Sequence, residues 1–207
     1  MFDLTGMTAL VTGASGGIGF EIARALMRQG AKVALSGTSE EKLSAARERM
    51  QVLRDGEAVR FSVEGFDGGS IEHPILPCNL SDPAAVDALV PQAVEALGGK
   101  IDILVNNAGI TRDAMFHKMT SSQFASVINT NLIALFNVTQ PVFTRMRANG
   151  FGRIVSLSSI NVDSLTTLNF KFLEVLLIIA VTNVCITICL RCIQGRVFYI
   201  LIESFLK

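Results

Sequence analysis

The chain carries no excess of either charge: 18 basic and 18 acidic residues leave a formal net charge of zero at pH 7. That balance gives no reason to expect nucleic acid as a partner, because a phosphate backbone calls for a basic face. Cysteine is thin as well. Cys78 stands alone in the front of the chain, and Cys185, Cys189 and Cys192 crowd near its end. No disulfide framework is visible, so a reducing compartment is the expectation. His73 and His117 are isolated, without the spaced partners a metal site needs. Met1 to Gly6 lacks the basic start and apolar core of a secretory leader, and no internal repeat is apparent. What is present is 207 residues, half of them hydrophobic, enough for one domain with a substantial core.

Met7 to Val11 is a short apolar run of buried-strand type that ends in Thr12 and Gly13. Ile18, Ile22, Ala25 and Leu26 then recur at helical spacing from about Gly17, and Gly30 stops the helix. Ala31 to Leu35 reads as a second strand and Glu40 to Leu53 as a polar amphipathic helix. Asp55 to Pro74 is rich in glycine and aspartate, an inserted loop or a frayed hairpin. Ile75 to Cys78 resumes as a strand. Pro83 to Leu97 reads as a helix, capped by Ser81 or Asp82 with proline in its first position. Ile101 to Val105 is a fourth strand, Ser121 to Ala148 a long helix interrupted at Pro141, and Arg153 to Leu157 a fifth strand. Strands and helices alternating at these lengths predict a parallel sheet with helices on both faces.

The segment Thr12-Gly13-Ala14-Ser15-Gly16-Gly17-Ile18-Gly19 lies between the first strand and the first helix. A phosphate-binding turn belongs there, since small residues let the backbone approach a pyrophosphate and the helix start supplies unpaired N–H groups. Glycines also make ordinary tight turns, so the motif alone is weak. Three further elements come after it in order: Asn106-Asn107-Ala108-Gly109, Asn129-Thr130-Asn131-Leu132, and the strand Gly152 to Ser159 ending in a serine pair. Together the four resemble the short-chain dehydrogenase/reductase family. Asn107 to Asp113 and Cys78 to Asp82 look most like the bacterial 3-oxoacyl-(acyl-carrier-protein) reductases within it.

The resemblance implies an α/β fold: a Rossmann-type doubly wound parallel sheet, here with its C-terminal part missing or replaced. It implies that Gly13, Ser15, Gly17, Ile18 and Gly19 cradle the phosphates of a nicotinamide dinucleotide. Asn79 and Leu80 would lie beside the adenine, and Asn107, Ala108 and Gly109 beside the adenosine ribose. The bland reading of Asn106 to Gly109 is a strand-end turn in which asparagines bond the local backbone. The resemblance also makes Ser159 the group that polarises a substrate carbonyl and Asn131 the anchor of a water relay. Ser159 could equally cap the next segment. The same likeness implies a cytoplasmic location and an acyl-carrier-protein thioester as partner.

Cofactor choice turns on the end of the second strand, where an acid would bond the ribose 2′-OH of NAD and repel a 2′-phosphate. Ser36-Gly37-Thr38-Ser39 offers small and hydroxylated residues and no acid before Glu40. That favours NADP(H), although Gly16 stands where many NADP-preferring relatives carry arginine.

The family's proton donor is a tyrosine on the next helix, with a lysine four residues beyond that lowers its pKa. Here the corresponding residues are Phe172 and Leu176. The only tyrosine is Tyr199, with Glu203 four residues on. The pair is absent, so catalysis is expected to be lost or crippled. Val175 to Leu190 carries no charge, and Val197 to Leu206 is nearly as apolar. The division expected is a dinucleotide-binding domain over 1–161 and an atypical hydrophobic tail over 162–207. Three readings of the tail stay open: an altered C-terminus from a frameshift or alternative transcript end, a membrane anchor through 172–190, and a substitute core helix. A run of 16 uncharged residues falls short of the roughly 20 a spanning helix needs. Loss of the family pattern after Asn161 favours the first. The family's tetramer is not expected if it depends on what lies beyond residue 161.

Overall fold

The computed structural model describes residues 3–56, 72–112, 114–160, 186–191 and 197–204. Strand β1 (Thr8–Thr12) is buried along its whole length. It pairs in parallel with β2 (Lys32–Gly37) on one edge and β4 (Ile103–Asn106) on the other. A strand paired on both edges and covered on both faces has no solvent side, which is why its sequence does not alternate apolar with polar. β3 (Ile75–Pro77) adds outside β2, and β5 (Arg153–Ile160) outside β4, both in parallel. The parallel part of the sheet therefore runs β3-β2-β1-β4-β5.

Helices α1 (Gly17–Arg28) and α2 (Glu40–Gly56) cover one face, and α3 (Pro83–Leu97) and α5 (Ala134–Ala148) the other. Because side chains alternate along a strand, β1 feeds both cores. Ala9 and Val11 pack with Phe20, Ala23 and Leu43, while Leu10 packs with Val86, Leu89, Val138 and Val142. Each fully buried leucine of this set contributes roughly 1.5–3 kcal/mol. α3 keeps its expected bounds for local reasons. The Asp82 carboxylate accepts from the Ala84 N–H at 3.0 Å, proline opens the helix, and Gly98 stops it at φ 90°. Chain order diverges between β1 and its two neighbours, so the carboxyl ends of β1 and β4 flank the crevice where open α/β sheets bind ligands.

The structure departs from the sequence reading at several element bounds, by one residue in β1 and β3 and by three at the ends of α2 and β5, and more consequentially in four places. The helix expected over Ser121 to Ala148 is not interrupted at Pro141, which sits inside α5. It breaks instead at a π-helical turn, Asn129–Ile133, between α4 (Ser121–Ile128) and α5. β2 begins at Lys32 and continues through Gly37, because β3 pairs with its far end. β4 begins at Ile103, since the carboxylate of Asp102 takes the N–H of Thr8 at 2.9 Å.

The fourth departure lies in the tail. β7 (Val197–Ser204) pairs antiparallel with β5, and β6 (Ile186–Arg191) antiparallel with β7 at the sheet edge. Cys189 thus stands in a strand, and the part of the 172–190 anchor that falls in β6 is extended. The sequence Ile-Thr-Ile-Cys-Leu explains this, because β-branched residues fit a pleated surface better than a helix. No helix among the described residues is long and apolar enough to cross a membrane. Most of the Asp55 to Pro74 insert, Phe172, Leu176, Cys185 and Cys192 lie outside the described residues.

Candidate functional site

Thr12 ends β1 and organises the loop beyond it. Its hydroxyl accepts from the backbone N–H groups of Asn107 and Ala108, both at 3.1 Å, and donates to the Val105 carbonyl at 3.2 Å. Asn107 completes the clamp: its side-chain amide donates to the carbonyls of Thr12 at 3.0 Å and Gly13 at 3.1 Å. The glycine loop and the end of β4 are therefore one hydrogen-bonded unit. Space inside that unit is fully used. A Cβ on Gly19 would collide with the Gly13 carbonyl oxygen and the Asn107 side chain.

The outer side of the loop is different. Gly16 and Gly17 have nothing within 4 Å of where a Cβ would stand, and Gly17 sits at φ 56°. α1 has no side-chain cap and no acidic residue in its first turn. A helix start without an acceptor of its own, beside bare backbone, matches an anionic diphosphate in charge and in shape. Ile18 is largely exposed beside it. Ser15 is half-buried and reaches β2: its Oγ lies 3.4 Å from a Cβ built on Gly37.

The neighbouring segments close around this crevice. The Ala14 N–H donates to the Ser36 carbonyl at 2.9 Å, and the Cys78 N–H to the Gly37 carbonyl at 2.8 Å. Thr38 is exposed at the turn after β2. Asn79 is exposed and accepts the Ser81 N–H at 3.0 Å, while Leu80 packs half-buried on the core. Burial, with a smaller contribution from the Asp82 charge, pushes the Cys78 thiol up to about 11.

Asn131 occupies the π-helical turn, not the regular helix interior the sequence reading gave it. Its amide donates to the Ile110 carbonyl and its oxygen accepts the Ile110 N–H, each at 2.9 Å. A Cβ on Gly109 would stand 3.4 Å from the same oxygen. π-Helical turns are frequent at functional sites, and here the bend brings Asn131 against the strand-end segment. Ser159 lies in β5 opposite Phe198 of β7, and Ser158 opposite Tyr199. In backbone register Tyr199 is thus one position removed from Ser159's partner.

Two links were not legible as site residues in the sequence. One is the Thr12 hub; its only signal is a hydroxyl at the first position of the glycine motif. The other is the Ser81 Oγ···Thr130 Oγ1 bond of 2.7 Å, which joins the Asn79-Leu80 segment to the π-helical turn. Asn106 is buried and donates to Thr139 Oγ1 at 2.9 Å and Ser156 Oγ at 3.3 Å. No group of three or more His, Cys, Asp or Glu among the described residues is arranged to hold a metal ion.

The short chain dehydrogenase family model matches residues 7–166. Over 153 residues the chain is 42% identical to an acetoacetyl-CoA reductase of Acinetobacter sp. (strain RA3849), covering 74% of this chain and 56% of that protein. It is 41% identical over 160 residues to a 3-oxoacyl-(acyl-carrier-protein) reductase of Rickettsia conorii (strain ATCC VR-613 / Malish 7), covering 77% and 56%. Among solved structures, a short chain dehydrogenase from Burkholderia cenocepacia J2315 in complex with NADP superposes with a TM-score of 0.57 at 31% identity, covering 69% of this chain and 51% of that one. A metagenomic short-chain oxidoreductase in complex with NADP gives 0.62 at 32%, covering 74% and 61%. The chain spans about half the length of the curated relatives it matches. With the glycine loop, the Asn106 to Gly109 clamp and the five-stranded parallel sheet, these matches establish that the chain belongs to the short-chain dehydrogenase family.

Proposed function

We propose that the crevice at the ends of β1 and β4 binds a nicotinamide dinucleotide. We further propose that the protein derives from reductases of 3-oxoacyl thioesters, as in fatty acid biosynthesis. The observation that carries the reading is the uncapped start of α1 beside Gly16 and Gly17, locked to Asn107 through Thr12. Gly13, Ser15, Gly17, Ile18 and Gly19 would hold the diphosphate, with Thr38 beside the adenosine ribose. Asn79 and Leu80 would flank the adenine, and Asn107, Ala108 and Gly109 the adenosine ribose. The Ser36 to Ser39 turn, without an acid, favours NADP(H), in keeping with the NADP named for two of the similar structures.

When bound, the cofactor supplies the hydride. Ser159 would hold the substrate carbonyl through its hydroxyl, as a donor to the negative charge that develops there. Asn131 would fix a water near the turn it shares with Ile110. Within these 207 residues no tyrosine with a lysine four positions on comes after Ser159 to deliver the proton. A positioned acid contributes about 10² to 10⁴ in rate, and turnover is expected to fall by at least that much. The functional division is at residue 161, with the dinucleotide site in front of it. Similarity to acetoacetyl-CoA and acyl-carrier-protein reductases favours a 3-oxoacyl thioester as the substrate, and a cytoplasmic setting.

Titration with NADPH by fluorescence, together with acetoacetyl-CoA reduction in the same preparation, tests both parts. Saturable binding with turnover reduced by two or more orders of magnitude is expected. Turnover equal to that of a relative carrying the tyrosine would sink the second part, and absence of binding the first.

A further inference from the structure

Asp82 takes the cap of α3, its carboxylate accepting the Ala84 N–H at 3.0 Å. Ser81, the neighbouring candidate for that role, is left with its hydroxyl outside the helix start. That hydroxyl reaches 49 residues along the chain instead, to a 2.7 Å bond with the Thr130 hydroxyl. The Ser81 N–H donates to Asn79 Oδ1 at 3.0 Å, and the Asp82 N–H to the Asn79 carbonyl at 2.9 Å. The loop between β3 and α3 is thus folded around Asn79 and joined through Ser81 to the π-helical turn. Thr130 is buried and stands next to Asn131 in that turn. A threonine in a regular helix can bond back to the carbonyl four residues before it; this one bonds across to another segment. The two neighbours serve different loops: Thr130 holds the β3–α3 loop, and Asn131 holds the Ile110 backbone beyond β4.

Resting on the proposed dinucleotide site, we propose that Ser81 and Thr130 are positioning residues. Their bond fixes the separation between the Asn79–Leu80 segment at the adenine end and the Asn131–Ile110 pair at the substrate end. Neither residue meets the ligand; each acts through the asparagine beside it. A dinucleotide that spans both ends is held more tightly when their separation is set before it arrives. A ligand confined to the adenine end gains little from it.

The test is calorimetric titration of the full chain with NADPH and with ADP, which reaches only from the adenine to the diphosphate. Wild type is compared with Ser81→Ala, Thr130→Val, the two combined, and Thr130→Ser as the conservative control. Ser81 is exposed, and valine is nearly isosteric with threonine, so these variants are expected to fold. Ser81→Ala and Thr130→Val should each weaken NADPH binding about two- to ten-fold, the worth of one ordinary hydrogen bond, and ADP binding less than about two-fold. The combined variant should lose no more than either alone, because both changes remove the same bond. Thr130→Ser should bind NADPH as wild type does. Unchanged NADPH affinity, an equal loss for ADP, additive losses, or no recovery in Thr130→Ser overturns the inference and leaves the cofactor reading standing. Binding of neither ligand by wild type overturns the cofactor reading, and amide exchange at Ile110 then decides on the pair. Faster exchange in Thr130→Val than in wild type supports it, and equal exchange overturns it.

Discussion

Asn131 and Ile110 exchange two hydrogen bonds: the Asn131 Nδ2 donates to the Ile110 carbonyl and its Oδ1 accepts the Ile110 N–H, both at 2.9 Å. This exchange fastens the π-helical turn to the segment leaving β4. Two helices and a strand end are thereby tied by one side chain.

Asn131→Ala removes both partners of the Ile110 backbone at once. The expected cost is about 1–3 kcal/mol, since half-buried groups lose their bonds without full hydration in return. Asn131→Asp keeps the acceptor and loses the donor, so it should not restore wild-type stability. Urea denaturation midpoints measure this; an alanine variant as stable as wild type would show that the exchange holds nothing.

Thr12 offers a sharper comparison, because its hydroxyl makes three bonds. Thr12→Val is nearly isosteric but leaves the Asn107 and Ala108 N–H groups without their acceptor and the Val105 carbonyl without its donor. A loss of about 2–4 kcal/mol is expected on thermal or chemical unfolding. Thr12→Ser retains the hydroxyl and should recover most of it. Equal losses in the two variants would assign the effect to packing.

The contrast between these two residues also marks what the sequence could tell. Asn131 was legible as a site residue through its motif, but its setting was not. A π-helical turn has no local composition of its own, and Pro141 drew the expected break to the wrong place. A proline in a helix removes one hydrogen bond, which packing of α5 against α3 can outweigh. α3 was legible to the residue, because aspartate, proline and glycine each act within one turn. Thr12 was invisible as a hub because its partners lie more than 90 residues away. The extended pairing of β6 and β7 was hidden for another reason: an apolar β-branched run fits a buried helix or a strand, and only the tertiary setting decides.

Within the glycine loop, two substitutions should separate fold from ligand. Gly19→Ala puts a methyl into the Gly13 carbonyl and the Asn107 amide, both part of the Thr12 clamp. Lower stability and lost dinucleotide binding are expected together. Gly16→Ala meets nothing within 4 Å, and its extended backbone suits any residue. It should fold as wild type, within about 0.5 kcal/mol, and show its effect only on binding. A Gly19→Ala protein with unchanged unfolding would mean the loop is more yielding than its contacts require.

Cys78 makes stability depend on pH at the alkaline end. Burial holds its thiol neutral up to about 11, against an ordinary value of 9.0, with the Asp82 charge adding to the effect. Between those values the unfolded chain releases the proton while the folded chain keeps it, so ionisation draws the equilibrium toward unfolding. The contribution is intact below pH 9 and is lost as pH rises toward 11, amounting to about 1–3 kcal/mol. Cys78→Ala lacks this titration and differs from wild type below pH 8 by a constant offset from the lost packing. The difference in unfolding free energy between the two proteins should shrink steadily from pH 9 to 11. Peptide mapping after iodoacetamide at pH 8 gives a second readout, since a neutral buried thiol reacts slowly. Rapid labelling of Cys78 in the folded chain, or a difference that stays flat to pH 11, would mean the thiol is not held as its burial requires.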